Sequence, residues 1–235
     1  MPRRKTQFVN GEFYHIIKKG IEEREIFLDE EDRLRFVSSL LVFNDKNPVP
    51  WQSRIFWHQR EPESLPGQDY KPNSPLVEIH VFALMSNHFH LLVRQIIENG
   101  IVSLMNKLGG YSYYFNKKYG RVGPLFQGRF KAILVENELQ LRSNFVYINT
   151  NPVGVIEPGW KNFKVENPQK AIQFLEKGYH WSSYRDYLGE RIFSPVINKE
   201  FFLKLFGGEE EIKKEVNSWI SFKANLDPLK DTTLE

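Results

Sequence analysis

Val77-Glu78-Ile79-His80-Val81-Phe82-Ala83 and His88-Phe89-His90-Leu91-Leu92-Val93 flank a short break, Met85-Ser86-Asn87. Both runs are rich in β-branched and aromatic residues, and the break has the composition of a tight turn, so the segment reads as a β-hairpin. Upstream, residues 12–18 (E-F-Y-H-I-I-K) enter after Gly11 and read as another strand. Residues 29–43 place Leu34, Val37, Leu40 and Leu41 on one helical face, and Asp29 to Asp32 suit its N-terminal turn. Downstream, residues 98–119 read as a helix weakened by Gly109-Gly110, residues 120–128 as a glycine-rich loop, and residues 129–135 as a fourth strand. Asn137 then has the character of an N-cap, with Gln140 three residues on. The helix it opens runs to about Asn151, where Pro152 stops it. The order strand, helix, strand, strand, helix, strand predicts an α+β, ferredoxin-like four-stranded antiparallel sheet with helices on one face. The expected organisation is a domain over residues 8–158 and a helical C-terminal extension over 159–235, with helical patches at 169–177 and 199–222. Residues 44–75 hold six of the thirteen prolines and read as a long loop or insertion, whose Trp51, Phe56 and Trp57 are expected to pack on the body.

Composition narrows the chemistry. The 235 residues include no cysteine, which excludes disulfides, cysteine nucleophiles and cysteine-bound zinc. No stretch approaches the roughly 18–20 apolar residues of a membrane span, so no membrane partner is expected and a cytoplasmic location is. The net charge of +3 is modest, but its distribution is uneven. Residues 99–135 contain no acid, yet carry Lys107, Lys117, Lys118, Arg121, Arg129 and Lys131 among seven aromatic side chains. Such a strip is either a nucleic-acid footprint or a basic helix face whose aromatics turn into the core.

Within the hairpin, His88 and His90 stand two residues apart on a strand and project to one face, while Phe89 points the other way. Two imidazoles side by side can hold a divalent metal, or each can be a half-buried histidine satisfied by hydrogen bonds. His80, on the preceding strand, reads as a packing residue or as one that supports the histidine pair from behind. On the helix that follows, Tyr147 and Asn151 are i and i+4 and share a face, with Ile148, Phe145 or Leu141 turned to the sheet. A tyrosine beside an amide ligand fits phosphoryl transfer, in which a phenol with a pKa near ~10 needs help to act as nucleophile. It equally fits ordinary packing. Tyr111, Tyr113, Tyr114 and Tyr119 are rival nucleophiles, although Tyr111, Tyr114 and Phe115 have the spacing of a packing stripe.

Taken together these stretches resemble the single-tyrosine HUH transposases, and more closely the REP-associated tyrosine transposases. The likeness is carried by Phe13-Tyr14-His15-Ile16-Ile17-Lys18-Lys19-Gly20, by Met85 to Val93, by Tyr114 to Lys131 and by Tyr147-Ile148-Asn149-Thr150-Asn151-Pro152-Val153, with Trp181-Ser182-Ser183-Tyr184 similar to a tail motif. It spans roughly residues 11–190; the 44–75 segment looks longer than usual. The resemblance implies that His88 and His90 bind Mg²⁺ or Mn²⁺, with Asn151 as third ligand. It implies that Tyr147 attacks a DNA phosphodiester to give a 5′-phosphotyrosine link and a free 3′-OH, and that the substrate is single-stranded DNA beside hairpins. A relative that binds hairpin DNA or RNA without cleaving it is the alternative. Expected DNA contacts are Arg3, Arg4 and Lys5 in a basic arm, Lys117, Lys118 and Arg121, and a row of Gln127, Arg129 and Lys131 along one strand. A homodimer and a monomer are both compatible with the sequence.

Overall fold

A computed structural model describes residues 7–48 and 71–226. Arg3, Arg4 and Lys5, and Trp51, Phe56 and Trp57, lie outside the described residues.

The strands are β1 (Phe13–Lys19), β2 (Val77–Met85), β3 (His88–Gln95) and β4 (Lys131–Val135). They form one sheet in the order β2-β3-β1-β4, with every neighbouring pair antiparallel. This is the ferredoxin-like arrangement. The first crossover carries α1 (Glu30–Val42), and the second carries α2 (Gly100–Leu108) and α3 (Gly110–Lys118). The predicted single helix over 98–119 is therefore two, broken at Gly109. The Asp29 side chain caps α1, accepting from the Asp32 amide at 2.9 Å.

Both crossovers cover one face, as the split βαβ pattern requires. On that face Phe36 packs on Phe89 with ring centroids 4.6 Å apart, and Tyr111 packs on Phe27 and Phe36. The opposite face is covered as well. It is occupied by α4 (Glu138–Thr150) and by α6 (Glu200–Phe206), whose Phe202 stacks on Phe145 and meets Phe13. Two-sided burial explains why β2 and β3 read as nearly unbroken apolar runs.

Residues 159–226 share this core. The chain at Trp181–Ser183 lies along β2: the Leu84 amide donates to the Trp181 carbonyl at 2.9 Å and the Ser183 amide to the Phe82 carbonyl at 3.0 Å. One edge of the sheet is thereby covered, while β4 forms the other, with Ile133 and Leu134 exposed. The remaining tail is α5 (Pro168–Gln173), α6 and α7 (Glu209–Asn225). The predicted helix over 199–222 is split where Gly207 and Gly208 take φ of 94° and 121°, a backbone that a side chain disfavours. The proline-rich segment is anchored where it leaves the body. The Asn44 amide bridges to Leu76 and Val77, and Asp45 accepts from the Asn73 amide at 2.7 Å. Among the described residues no helix is long and apolar enough to cross a membrane.

Candidate active site

Pairing of β1 with β3 sets Ile17 against His90 and Lys19 against His88. Partners in an antiparallel pair share a face, so His15, His88 and His90 all stand on the α4 side of the sheet. Asn137 caps α4 through the Gln140 amide at 2.9 Å, as the capping pattern predicts, while the Gln140 side chain reaches one residue further back than that pattern and accepts from the Glu136 amide. Leu141, Phe145 and Ile148 are buried against the body. That anchoring sets Tyr147 over the histidines, with its ring centroid 5.7 Å from that of His90 and 5.8 Å from that of His15. Tyr147 is 43% exposed, so it borders the site from the solvent side. Asn151 follows in helical conformation, one turn on, and is buried.

The hydrogen bonds around the histidines fix which nitrogens are free. The Asn87 amide NH₂ donates to the Glu23 carbonyl at 3.2 Å, which turns its oxygen to His88 Nδ1 at 2.6 Å. His88 Nδ1 thus carries the proton and Nε2 holds the lone pair. Asn87 is itself clamped, since the amides of Ile26 and Phe27 donate to the Ser86 carbonyl beside it. His90 Nδ1 lies 2.8 Å from His15 Nε2. The Asn144 side chain acts on His15 from the other side, with its NH₂ given to the Gln140 carbonyl at 2.8 Å. The series Gln140, Asn144, His15, His90 leaves His90 Nε2 buried and without a hydrogen-bond partner among the described residues.

All three imidazoles are neutral at ordinary pH. Burial lowers His15 and His88 from 6.5 to about 4 and holds His90 well below 6.5. The Lys19 and Lys161 ammoniums add to the effect at His88 and His90. Among the described residues no three His, Cys, Asp or Glu side chains are grouped so as to hold a metal ion. A metal at the pair would need an amide and substrate oxygens to complete its shell.

The predicted basic strip divides. Lys118 is ion-paired with Asp29, Glu31 and Asp32 at 2.8–3.1 Å, on the far side of the sheet from the histidines. Desolvation opposes its charge, but these acids and Tyr114 outweigh that and raise its pKa above the usual range. Lys118, expected from the sequence as a DNA contact, is thus engaged by three acids of the protein itself. Lys117 is exposed on the same helix, and Arg121 is half-buried, bonded to Asn116 and set over Phe115. Of the expected row, only Lys131 is in a strand. Gln127 and Arg129 lie in the preceding loop, where Gly128 takes φ of 47° and breaks the alternation. Gln127, Arg129 and Lys131 are all exposed.

The rival tyrosines are accounted for. Tyr111 donates to the Ile26 carbonyl at 2.6 Å, and burial raises its pKa. Tyr114 donates to Asp32, and burial pushes it up to about 12. Tyr119 bonds Asp29 and Asp32. Tyr113 is exposed on α3, away from the histidine face. His80 is buried against Phe13, Phe201 and Phe202, with Nδ1 on the Asn198 carbonyl at 2.8 Å, as a packing residue should be. Sequence reasoning gave no role to His15, Asn144, Lys19 or Lys161. His15 was within reach, because the predicted topology sets β1 beside β3; the register was the missing piece.

No family model matches the chain, and no curated protein matches it. A solved structure described as a REP-associated tyrosine transposase bound to a REP hairpin is similar over 85% of this chain and 93% of that one, with a TM-score of 0.48 and 14% identity. At that level the likeness assigns neither a family nor a chemistry to this chain.

Proposed function

We propose that this protein is a metal-dependent enzyme that cleaves and rejoins single-stranded DNA through a covalent link to Tyr147. The observation that carries the reading is the half-exposed Tyr147 ring set against His90 and His15, beside a buried His90 Nε2 with no hydrogen-bond partner among the described residues. An unsatisfied buried polar atom costs roughly 1–3 kcal/mol, so its persistence points to a ligand.

The donor set fits a divalent cation. His88 and His90 are neutral through burial, each offers Nε2, and the other nitrogen of each is held by a protein partner, as metal-ligating histidines require. His88, His90 and the Asn151 amide oxygen would hold it. Two imidazoles with oxygen ligands suit Mn²⁺ at least as well as Mg²⁺, which prefers oxygen donors. When bound, the ion supplies Lewis-acid polarisation of the scissile phosphate.

The chain's own groups do the rest. Tyr147 Oη forms the new bond to phosphorus as the bond from phosphorus to the 3′-oxygen breaks. The phenolic proton leaves to solvent and the departing 3′-oxygen gains one, giving a 5′-phosphotyrosine and a free 3′-OH. Because the phosphoester is retained, a second 3′-OH reverses the step without ATP. Lys19 and Lys161 flank the histidines as phosphate contacts, with Lys131 on the same face. A hairpin beside the cleavage position is the substrate expected from the sequence resemblance.

The test is a labelled single-stranded hairpin incubated with Mn²⁺ and either wild type or His88→Ala. Loss of cleavage with retained folding and DNA binding is expected. Undiminished metal-dependent cleavage by the variant would remove the histidine pair from the chemistry. Tight binding by wild type with no cleavage of any hairpin offered would favour a non-cleaving binder.

A further inference from the structure

A cleft of about 580 Å³ opens between α4 and α7, and Tyr147 is part of its wall. Its volume lies within the ~300–1,000 Å³ of small-ligand sites. Leu139, Ser143, Asn144, Trp219 and Phe222 line it with Tyr147. Three of these are apolar or aromatic yet open to solvent: Leu139 at 75%, Phe222 at 52% and Tyr147 at 43%. Exposed apolar groups gathered in one concavity mark a binding surface.

The aromatic wall is built and braced. Trp219 and Phe222 stack with centroids 5.7 Å apart and planes 24° apart. Behind them Lys223 is buried, donating to the Trp160 carbonyl at 2.7 Å, with its ammonium 5.7 Å from the Trp219 ring. Phe163 abuts Trp219 edge-on. The cleft's charged groups do not make it an anion site. Arg142 is held by Glu138 at 3.0 Å and by the Leu205 carbonyl, over the Phe206 ring, and Glu215 is acidic. A flat, neutral ligand with a polar edge suits this wall: aromatic rings line it together with Ser218 and with Ser143, whose hydroxyl donates to the Leu139 carbonyl and keeps its oxygen as an acceptor. The phosphates belong instead at the Lys19 and Lys161 side of Tyr147.

We propose that the α4–α7 cleft is a base-binding subsite, which receives an unpaired nucleobase of the strand next to the phosphate held at Tyr147 and stacks it on Trp219 and Phe222. The assignment rests on the reading of Tyr147 as the nucleophile: a strand joined to that hydroxyl must pass along the cleft mouth. It adds a contribution from the C-terminal helix to a site otherwise built by the sheet and α4. Base–aromatic stacking tolerates any base, so the subsite would hold the strand without selecting its sequence.

The test uses the full chain in EDTA, so that no cleavage is needed. Single-stranded oligonucleotides carry 2-aminopurine at successive positions from the hairpin foot, and fluorescence reports stacking. Quenching at one or two adjacent positions is expected with wild type. Phe222→Ala, at a solvent-exposed position, should restore emission there and weaken binding about tenfold, while Phe222→Tyr retains both. Trp219→Phe should behave as wild type. Unchanged quenching and affinity in Phe222→Ala would overturn the subsite; metal-dependent cleavage in the same variant would show that the Tyr147 reading stands without it. A change in oligomeric state rather than in quenching would make the cleft a protein interface and also overturn it. Failure of wild type to bind any of the oligonucleotides would overturn both readings.

Discussion

His15 Nε2 and His90 Nδ1 lie 2.8 Å apart in the buried layer between the sheet and α4. The contact joins two strands that are 75 residues apart in sequence, and it decides which nitrogen of His90 is left over. With Asn144 behind it, His15 holds His90 in the tautomer whose free atom is Nε2.

His15 is therefore a positioning residue for the histidine pair. His15→Ala should weaken Mn²⁺ binding about 10–100-fold, measured by electron paramagnetic resonance titration, while the far-ultraviolet circular dichroism is unchanged. His15→Gln, which keeps an acceptor on a similar reach, should recover part of the loss. Equal Mn²⁺ affinity in wild type and His15→Ala would reduce His15 to packing.

Acid should destabilise the metal-free protein. His15 and His88 titrate at about 4 when folded and 6.5 as free groups, and His90 is also depressed, so the unfolded state binds more protons between about 4 and 6.5. Stability from these groups is present above 6.5 and is lost as pH falls toward 4. Asp186 works against this, because burial raises it from 3.8 to about 6, and its contribution is lost as pH rises through 6. The histidines outnumber it, so Tm in EDTA should fall from pH 7 to pH 5. His15→Asn should flatten the slope. A Tm that rises on acidification would contradict the burial of neutral histidines.

Two lysines should separate structure from binding. Lys118 neutralises the fully buried Asp32, so Lys118→Met should cost about 2 kcal/mol of stability, allowing for partial solvent exposure, and leave DNA affinity alone. Lys161→Ala should do the reverse, and reduce the salt dependence of single-strand binding by about 0.7 in log–log slope. Denaturant melts and fluorescence anisotropy at several salt concentrations measure both. A steeper loss of DNA binding in Lys118→Met than in Lys161→Ala would invert the assignment.

Truncation after Pro158 should abolish soluble folding. It would uncover the β2 edge now covered by Trp181–Ser183 and strip Phe202 from Phe13 and Phe145. Analytical gel filtration of residues 1–158 beside the full chain checks this. A monodisperse, cooperatively melting fragment would show that the first 158 residues fold alone.

The fold was legible because its signals are local. The hairpin announces itself at Met85-Ser86-Asn87, α1 and α4 begin at Asp29 and Asn137 caps, and the element order leaves one plausible sheet. The site was partly legible for the same reason: His88 and His90 share a face by strand parity, and Tyr147 and Asn151 by helical spacing. What sequence could not supply is non-local. The pairing of His15 with His90 depends on the β1–β3 register. The loss of Lys118 to Asp29, Glu31 and Asp32 depends on α1 packing beside α3. The placing of Gln127 and Arg129 on a strand failed for a local reason, since Gly128 takes a positive φ and delays the strand to Lys131. The second covered face was signalled by the nearly unbroken apolar runs of β2 and β3, but such a run does not say which distant segment will cover it.

The most direct test of the central claim is denaturing gel analysis of end-labelled single-stranded hairpin DNA with Mn²⁺, comparing wild type with Tyr147→Phe. A metal-dependent protein–DNA adduct in wild type that is absent from the variant is the predicted result. An adduct that survives in Tyr147→Phe would contradict it, and would move the nucleophile away from the histidine face.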